Sequence, residues 1–166
     1  MSREELQAVQ APLKERYRED PDSAIVTLTA EGELDSTAVS CSVQTGRALV
    51  EAGLHPASGG DGSLACSGDM LLEALVACAG VTLKAVATNR DIPLSGGRIV
   101  AEGELDFRGT MGVDREAPVG FRGIRLRFEL PSVEAEELDT LMRLTERYCV
   151  VYQTIARGIA VEISHN

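Results

Sequence analysis

One stretch constrains the chain more than any other: residues 69–87, Asp-Met-Leu-Leu-Glu-Ala-Leu-Val-Ala-Cys-Ala-Gly-Val-Thr-Leu-Lys-Ala-Val-Ala. Leu71, Leu75, Cys78, Thr82 and Val86 recur at spacings of three and four, and Leu72, Ala79 and Leu83 widen the stripe. This pattern predicts one long helix with Cys78 at its middle. Only Asp69, Glu73 and Lys84 are charged, so the helix has little polar face and must be covered nearly all round. That places it in a core. A bilayer span needs about 20 apolar residues, and Glu73 and Lys84 would each cost about 3 kcal/mol near the bilayer centre. A membrane is therefore not an expected partner.

Whatever surrounds that helix must come from a chain of 166 residues, a length that suits one domain with a single core. The chain is 44% hydrophobic and has no Trp, so Leu, Val, Ile and Ala must build the interior. A formal net charge of -10 argues against a nucleic-acid partner, since phosphate binding rests on clustered Lys and Arg. Met1 to Asp20 is charged and has no signal-peptide core, so the expected compartment is the cytoplasm. There Cys41, Cys66, Cys78 and Cys149 are expected to be thiols rather than permanent disulfides. They include no Cys-x-x-Cys pair, and the histidines are only His55 and His165. No zinc site, other metal or cofactor is expected.

Taken in order, the chain reads as an N-terminal helical appendage, residues 1–22, followed by one domain, residues 23–166. Leu6, Val9 and Leu13 share a side of the appendage, which Pro12 interrupts and Pro21 stops. Strands are expected over 24–30 and 37–44, with a turn at Glu31-Gly32-Glu33 between them, and a third over 46–50. Residues 53–68 read as a flexible Gly-rich loop shaping a pocket wall, with Ser67 as a helix cap. The loop lacks a Gly-Lys-[Ser/Thr] ending, and Asp61 and Asp69 would repel an anion, so phosphate binding is not favoured. After the core helix, a strand over 98–107 is expected to bulge at Gly103, and 109–120 reads as a loop. Residues 124–130 alternate, with Ile124, Leu126, Phe128 and Leu130 inward and Arg125, Arg127 and Glu129 outward. A helix with acidic first-turn residues then runs through Leu138, Leu141, Met142, Thr145, Tyr148 and Cys149. A short helical piece over 150–157 and a last strand over 159–163 complete the chain.

This order, together with Asp69-Met-Leu-Leu-Glu-Ala-Leu-Val-Ala-Cys78 and Glu146-Arg-Tyr-Cys149-Val-Val, resembles the OsmC/Ohr family of osmotically inducible and organic-hydroperoxide-resistance proteins. The resemblance covers roughly residues 24–164. It implies an α+β fold with antiparallel sheets wrapped around long central helices in an intertwined homodimer. It also implies a thiol-dependent peroxidase in oxidative-stress defence, whose partners are a small organic hydroperoxide and a thiol reductant. Carried over, Cys78 matches the peroxidatic cysteine and Cys149 the resolving one. A thiolate attacks the O–O bond and becomes a sulfenic acid, which a second thiol traps as a disulfide.

This chain departs from the family pattern at three places. The family's Glu, ten residues before the first cysteine, is replaced by Gly68 with Asp69 beside it. The residue after Cys149 is Val150, not Pro. The activating Arg of the family comes from the N-terminal strand region, where Arg47 is the nearest candidate. Cys78, Cys149, Arg47 and Asp69 are thus the candidate catalytic residues. Mid-helix placement gives Cys78 no help from its own helix dipole, and apolar burial raises a thiol pKa, so a nearby cation is expected. Arg47, Arg98, Arg108, Arg115, Arg122 and Arg147 are all eligible. Two other readings stay open: Cys78 as a plain small core residue, and a non-catalytic OsmC-like dimer holding a small apolar ligand in its interface pocket.

Overall fold

The structure, a computed structural model, describes residues 2–19, 31–34, 40–44, 49–94, 97–112, 114–131 and 133–165. It is a mixed α+β architecture of two compact units. One comprises Met1–Pro21, Ala74–Val100 and Leu126–Asn166, and the other Asp22–Glu73 and Ala101–Arg125. The long helix α2 (Ser67–Asn89) and the paired strands β5 (Arg98–Leu105) and β6 (Phe121–Glu129) each run through both.

In the second unit, β1 (Glu31–Leu34), β2 (Ser40–Gln44), β3 (Leu49–Gly53) and β4 (Ala65–Cys66) form a four-stranded sheet in that order. β2 pairs antiparallel with β1 and β3, and the short β4 adds parallel to β3. The expected turn at Glu31-Gly32-Glu33 is strand instead. Gly32 lies opposite Val43 and Glu33 opposite Ser42, so the ladder to β2 overrides local turn preference. The third strand lies at Leu49–Gly53 rather than 46–50. The expected strand over 24–30, and residues 37–39 and 46–48 of the next two, lie outside the described residues.

The Gly-rich segment is more structured than a flexible loop. Pro56–Ser58 make a 3-10 turn capped by His55, whose Nδ1 accepts from the Ala57 N–H at 3.0 Å. The His55 ring stacks on Phe107 at 5.0 Å. A Cβ on Gly60 would lie 1.8 Å from the Leu54 carbonyl oxygen, so only glycine fits there. β5 stops at Leu105, not 107, because Asp106 caps the short helix α3 (Phe107–Thr110), accepting from the Arg108 N–H. α3 also takes the start of what reads as a loop. Gly103 marks no break in β5. It clears space for the Phe121 ring, which would meet a Cβ at 2.5 Å.

In the first unit, α1 (Arg3–Glu19) continues through Pro12 without interruption, and Arg3 pairs with Asp91. α2 buries Leu75, Ala79, Leu83 and Ala87, a stripe of strict four-residue spacing. Leu83, Ala87 and Leu141 of α4 (Ala135–Tyr148) are the centre of the core, with Ile99, Phe128, Leu130 and Met142 packed against them. The alternation in β6 holds: Ile124, Leu126, Phe128 and Leu130 are half-buried while Arg125, Arg127 and Glu129 are exposed. α5 (Val150–Arg157) ends before Gly158. Residues 159–163 are not a strand, and Ile159, Val161 and Ile163 are exposed. Alternation of β-branched residues makes a strand only where a second strand supplies backbone partners.

Candidate active site

Cys78 stands at the middle of α2, half-buried, and the next residue, Ala79, is fully buried and holds the helix against its neighbours at this level. Cys149 stands at a break. Its backbone is extended (φ -72, ψ 108), which ends α4 and starts α5 in one residue. Its N–H closes α4 by donating to the Thr145 carbonyl at 2.9 Å. The first N–H groups of α5 therefore have no partner within that helix and carry the positive end of its dipole.

Two of those N–H groups, of Val150 and Val151, act on the ionisation of Cys78. Burial works against its ionisation, but the backbone N–H of Val151, the thiol of Cys149, the N–H of Val150 and the Thr82 hydroxyl all donate to it. Together they hold the Cys78 thiol below the ordinary cysteine value. Cys149 is the reverse case. Burial pushes its thiol up, the Tyr152 N–H works against that, and its bond to Cys78 raises it further. Cys149 is 1% exposed, and both cysteines are free thiols that shift each other's ionisation. Of the two thiols, Cys78 is the one shifted toward ionisation and Cys149 the one shifted away from it.

Arg47, the first candidate for the cation expected beside Cys78, lies outside the described residues. The dipole of α2 gives no help at its own middle, and the backbone N–H groups of Val150 and Val151 at the start of α5 lower the Cys78 pKa. Sequence reasoning missed Val150, Val151 and Thr82 as functional positions.

The other predicted residues are placed as follows. Asp69 is exposed in the first turn of α2, about 14 Å of helix before Cys78. Arg108 is bound to Asp106 at 2.6 Å and Asp114 at 3.3 Å. Arg147 lies over the Tyr148 ring at 5.5 Å. A Cβ on Gly68, where the family carries Glu, would make ordinary contacts of 3.5–3.6 Å with Phe121, Cys66 and Leu105, so packing does not force the side chain's absence. Cys66 is a half-buried free thiol at the end of β4. Cys41 lies in β2 opposite Ala52.

Beside Cys149 is a crevice of about 60 Å³, lined by Ala79, Leu126, Phe128, Thr145, Glu146, Cys149 and Tyr152. Its lining is mainly apolar, yet the Thr145 hydroxyl is buried and has no hydrogen-bond partner among the described residues.

A mixed fold with two apposed thiols on a core helix and a helix break defines a class of thiol proteins, and comparison with known proteins names it. The OsmC-like protein family model matches residues 60–164, and the chain belongs to that family. Three solved structures show the same fold. An OsmC-like protein from Mycoplasma pneumoniae is 18% identical, with a TM-score of 0.65 over 81% of this chain and 89% of that one. An organic hydroperoxide resistance protein OsmC from Legionella pneumophila is 18% identical, with a TM-score of 0.63 over 81% and 92%. An organic hydroperoxide resistance protein from Elizabethkingia anophelis is 17% identical, with a TM-score of 0.60 over 81% and 91%. No curated protein sequence matches the chain.

Proposed function

We propose that the protein is a thiol-dependent peroxidase that reduces organic hydroperoxides through the Cys78/Cys149 pair, in oxidative-stress defence. The observation that carries this reading is the coupling of the two thiols beside the break at Cys149, with opposite displacements of their pKa values. The Cys78 thiolate attacks one peroxide oxygen, the O–O bond breaks, and the organic fragment leaves as an alcohol after taking a proton. Cys78 is then a sulfenic acid. The Cys149 sulfur attacks it, water leaves, and a disulfide forms. A thiol reductant returns both cysteines to thiols and is itself oxidised to a disulfide. The solved hydroperoxide-resistance proteins of the same fold support the substrate class. Both cysteines would work within a homodimer, with the exposed Leu71 and Val81 on α2 as part of its interface.

Mass spectrometry after one equivalent of cumene hydroperoxide tests the mechanism. The expected product is a Cys78–Cys149 disulfide that dithiothreitol reverses. Cys149→Ser is expected to leave Cys78 as sulfenic or sulfinic acid, and Cys66→Ser and Cys41→Ser to change nothing. Absence of the Cys78–Cys149 linkage would end the two-cysteine mechanism, and a Cys149 sulfenate accumulating in Cys78→Ser would reverse the roles.

A second reading, a non-catalytic protein holding a small apolar ligand, is favoured by the crevice beside Cys149. In that case Cys78 reacts with the hydroperoxide at the rate of an ordinary thiol.

A further inference from the structure

The elbow between α4 and α5 forms a second cleft, of about 310 Å³, lined by Arg143, Glu146, Arg147, Tyr152, Gln153 and Arg157. Gln153 holds the elbow by donating through Nε2 to the Glu146 carbonyl at 2.6 Å. The cleft thus gathers three guanidiniums against one carboxylate, on a chain of net charge -10. Among the described residues none of the three is ion-paired. Placement in the last turn of a helix accounts for Arg147 and Arg157, where the dipole favours cations, but not for Arg143. Guanidinium clusters of this kind recognise carboxylate and phosphate oxygens.

The arginine cleft adjoins the crevice at Cys149, because Glu146 and Tyr152 line both. The crevice supplies an apolar wall from Ala79, Leu126 and Phe128, and the buried, unpartnered Thr145 hydroxyl. A buried hydroxyl without a partner is costly, and a ligand oxygen at this place would satisfy it. The crevice has less than half the volume of a cavity that accepts benzene, about 150 Å³, so the chain it takes is short.

We infer that cleft and crevice together are one binding site for a short-chain organic acid bearing a second oxygen function. Its carboxylate sits among Arg143, Arg147 and Arg157, its methylenes lie against Phe128 and Leu126, and its second oxygen bonds to Thr145. The site borders Cys149 but its binding is read without turnover, so failure of this inference and failure of the peroxidase reading are distinguishable.

Ligand-observed NMR on the full chain tests the inference, with γ-hydroxybutyrate, butyrate, butanediol and inorganic phosphate as probes. γ-Hydroxybutyrate is expected to bind at least tenfold more tightly than butanediol, and more weakly as salt rises. R143Q/R157Q, at two exposed positions, should weaken it at least tenfold, while Thr145→Val should weaken γ-hydroxybutyrate but leave butyrate unchanged. Circular dichroism confirms that the variants are folded. Equal binding of butanediol, or full affinity in R143Q/R157Q, overturns the arginine half. Phosphate binding as tightly as γ-hydroxybutyrate, or an unchanged Thr145→Val, overturns the joined site, and no binding of any probe overturns the whole.

Discussion

The Cys78 thiol is held below its ordinary value by groups of α5, Cys149 and Thr82. Each donates to the charged form of the sulfur and so favours it over the neutral thiol, against the opposing cost of burial. A thiol held below its unfolded value contributes stability that is present above that value and is lost as pH falls through the folded pKa. Cys149, held above its unfolded value, contributes stability below that value and loses it as pH rises. The two contributions oppose each other, so reactivity is the clearer readout. The rate of Cys78 alkylation by iodoacetamide, followed by mass spectrometry, should inflect at a lower pH in the folded protein than in the urea-unfolded chain. Thr82→Val removes one donor and should move that inflection up by about one pH unit, the effect of a hydrogen bond to a charged group. An inflection at the unfolded chain's value in the native protein would show that the donors do not act on the sulfur.

At the scale of elements, the break at Cys149 matters more than either helix alone. Its extended backbone ends α4 and starts α5, and the first residues of α5 act on the ionisation of Cys78. The family's pattern has Pro where this chain has Val150, so this chain presents one more N–H to the sulfur. Val150 is the first residue of α5, a position proline tolerates well, and the extended Cys149 suits the residue before proline. Val150→Pro is therefore expected to fold with a melting temperature within a few degrees of the native protein. It should also raise the pH at which Cys78 becomes reactive, because the Val150 N–H is gone. Unfolding of this variant, or an unchanged reactivity profile, would contradict the role given to the α5 N-terminus.

At the scale of the whole molecule, the single chain leaves apolar surface in water. Val81 is 73% exposed on α2, and Ile163 is 92% exposed in the C-terminal segment. α2 is long and apolar enough to cross a membrane, yet most of its residues are not buried within the chain. A second copy covering Leu71 and Val81 would remove that exposure, and burying one such side chain stabilises by about 2 kcal/mol. Sedimentation is expected to show a dimer at micromolar concentration. Val81→Asp should weaken it at least tenfold, since it removes an apolar contact and buries a charge. A native protein that sediments as a folded monomer would overturn the homodimer.

Periodicity in the sequence determined the existence of α2, the inward face of β6 and the helix carrying Leu141 and Thr145, because side-chain spacing follows directly from helix and strand geometry. The two cysteine motifs together determined the family. Other features depended on contacts distant in sequence. Pairing with β2 made a strand of Glu31–Leu34, the Phe121 ring required Gly103, and Asp106 ended β5. The face of α2 that is buried also shifted, to Leu75, Ala79, Leu83 and Ala87, because the stripe is apolar over too wide an arc for composition to choose. The electrostatics of Cys78 were decided only in three dimensions. The N–H groups that lower its pKa belong to the backbone of residues 150 and 151, more than seventy positions away, and every residue type except proline carries the same N–H. No side-chain pattern can encode which one will face the sulfur.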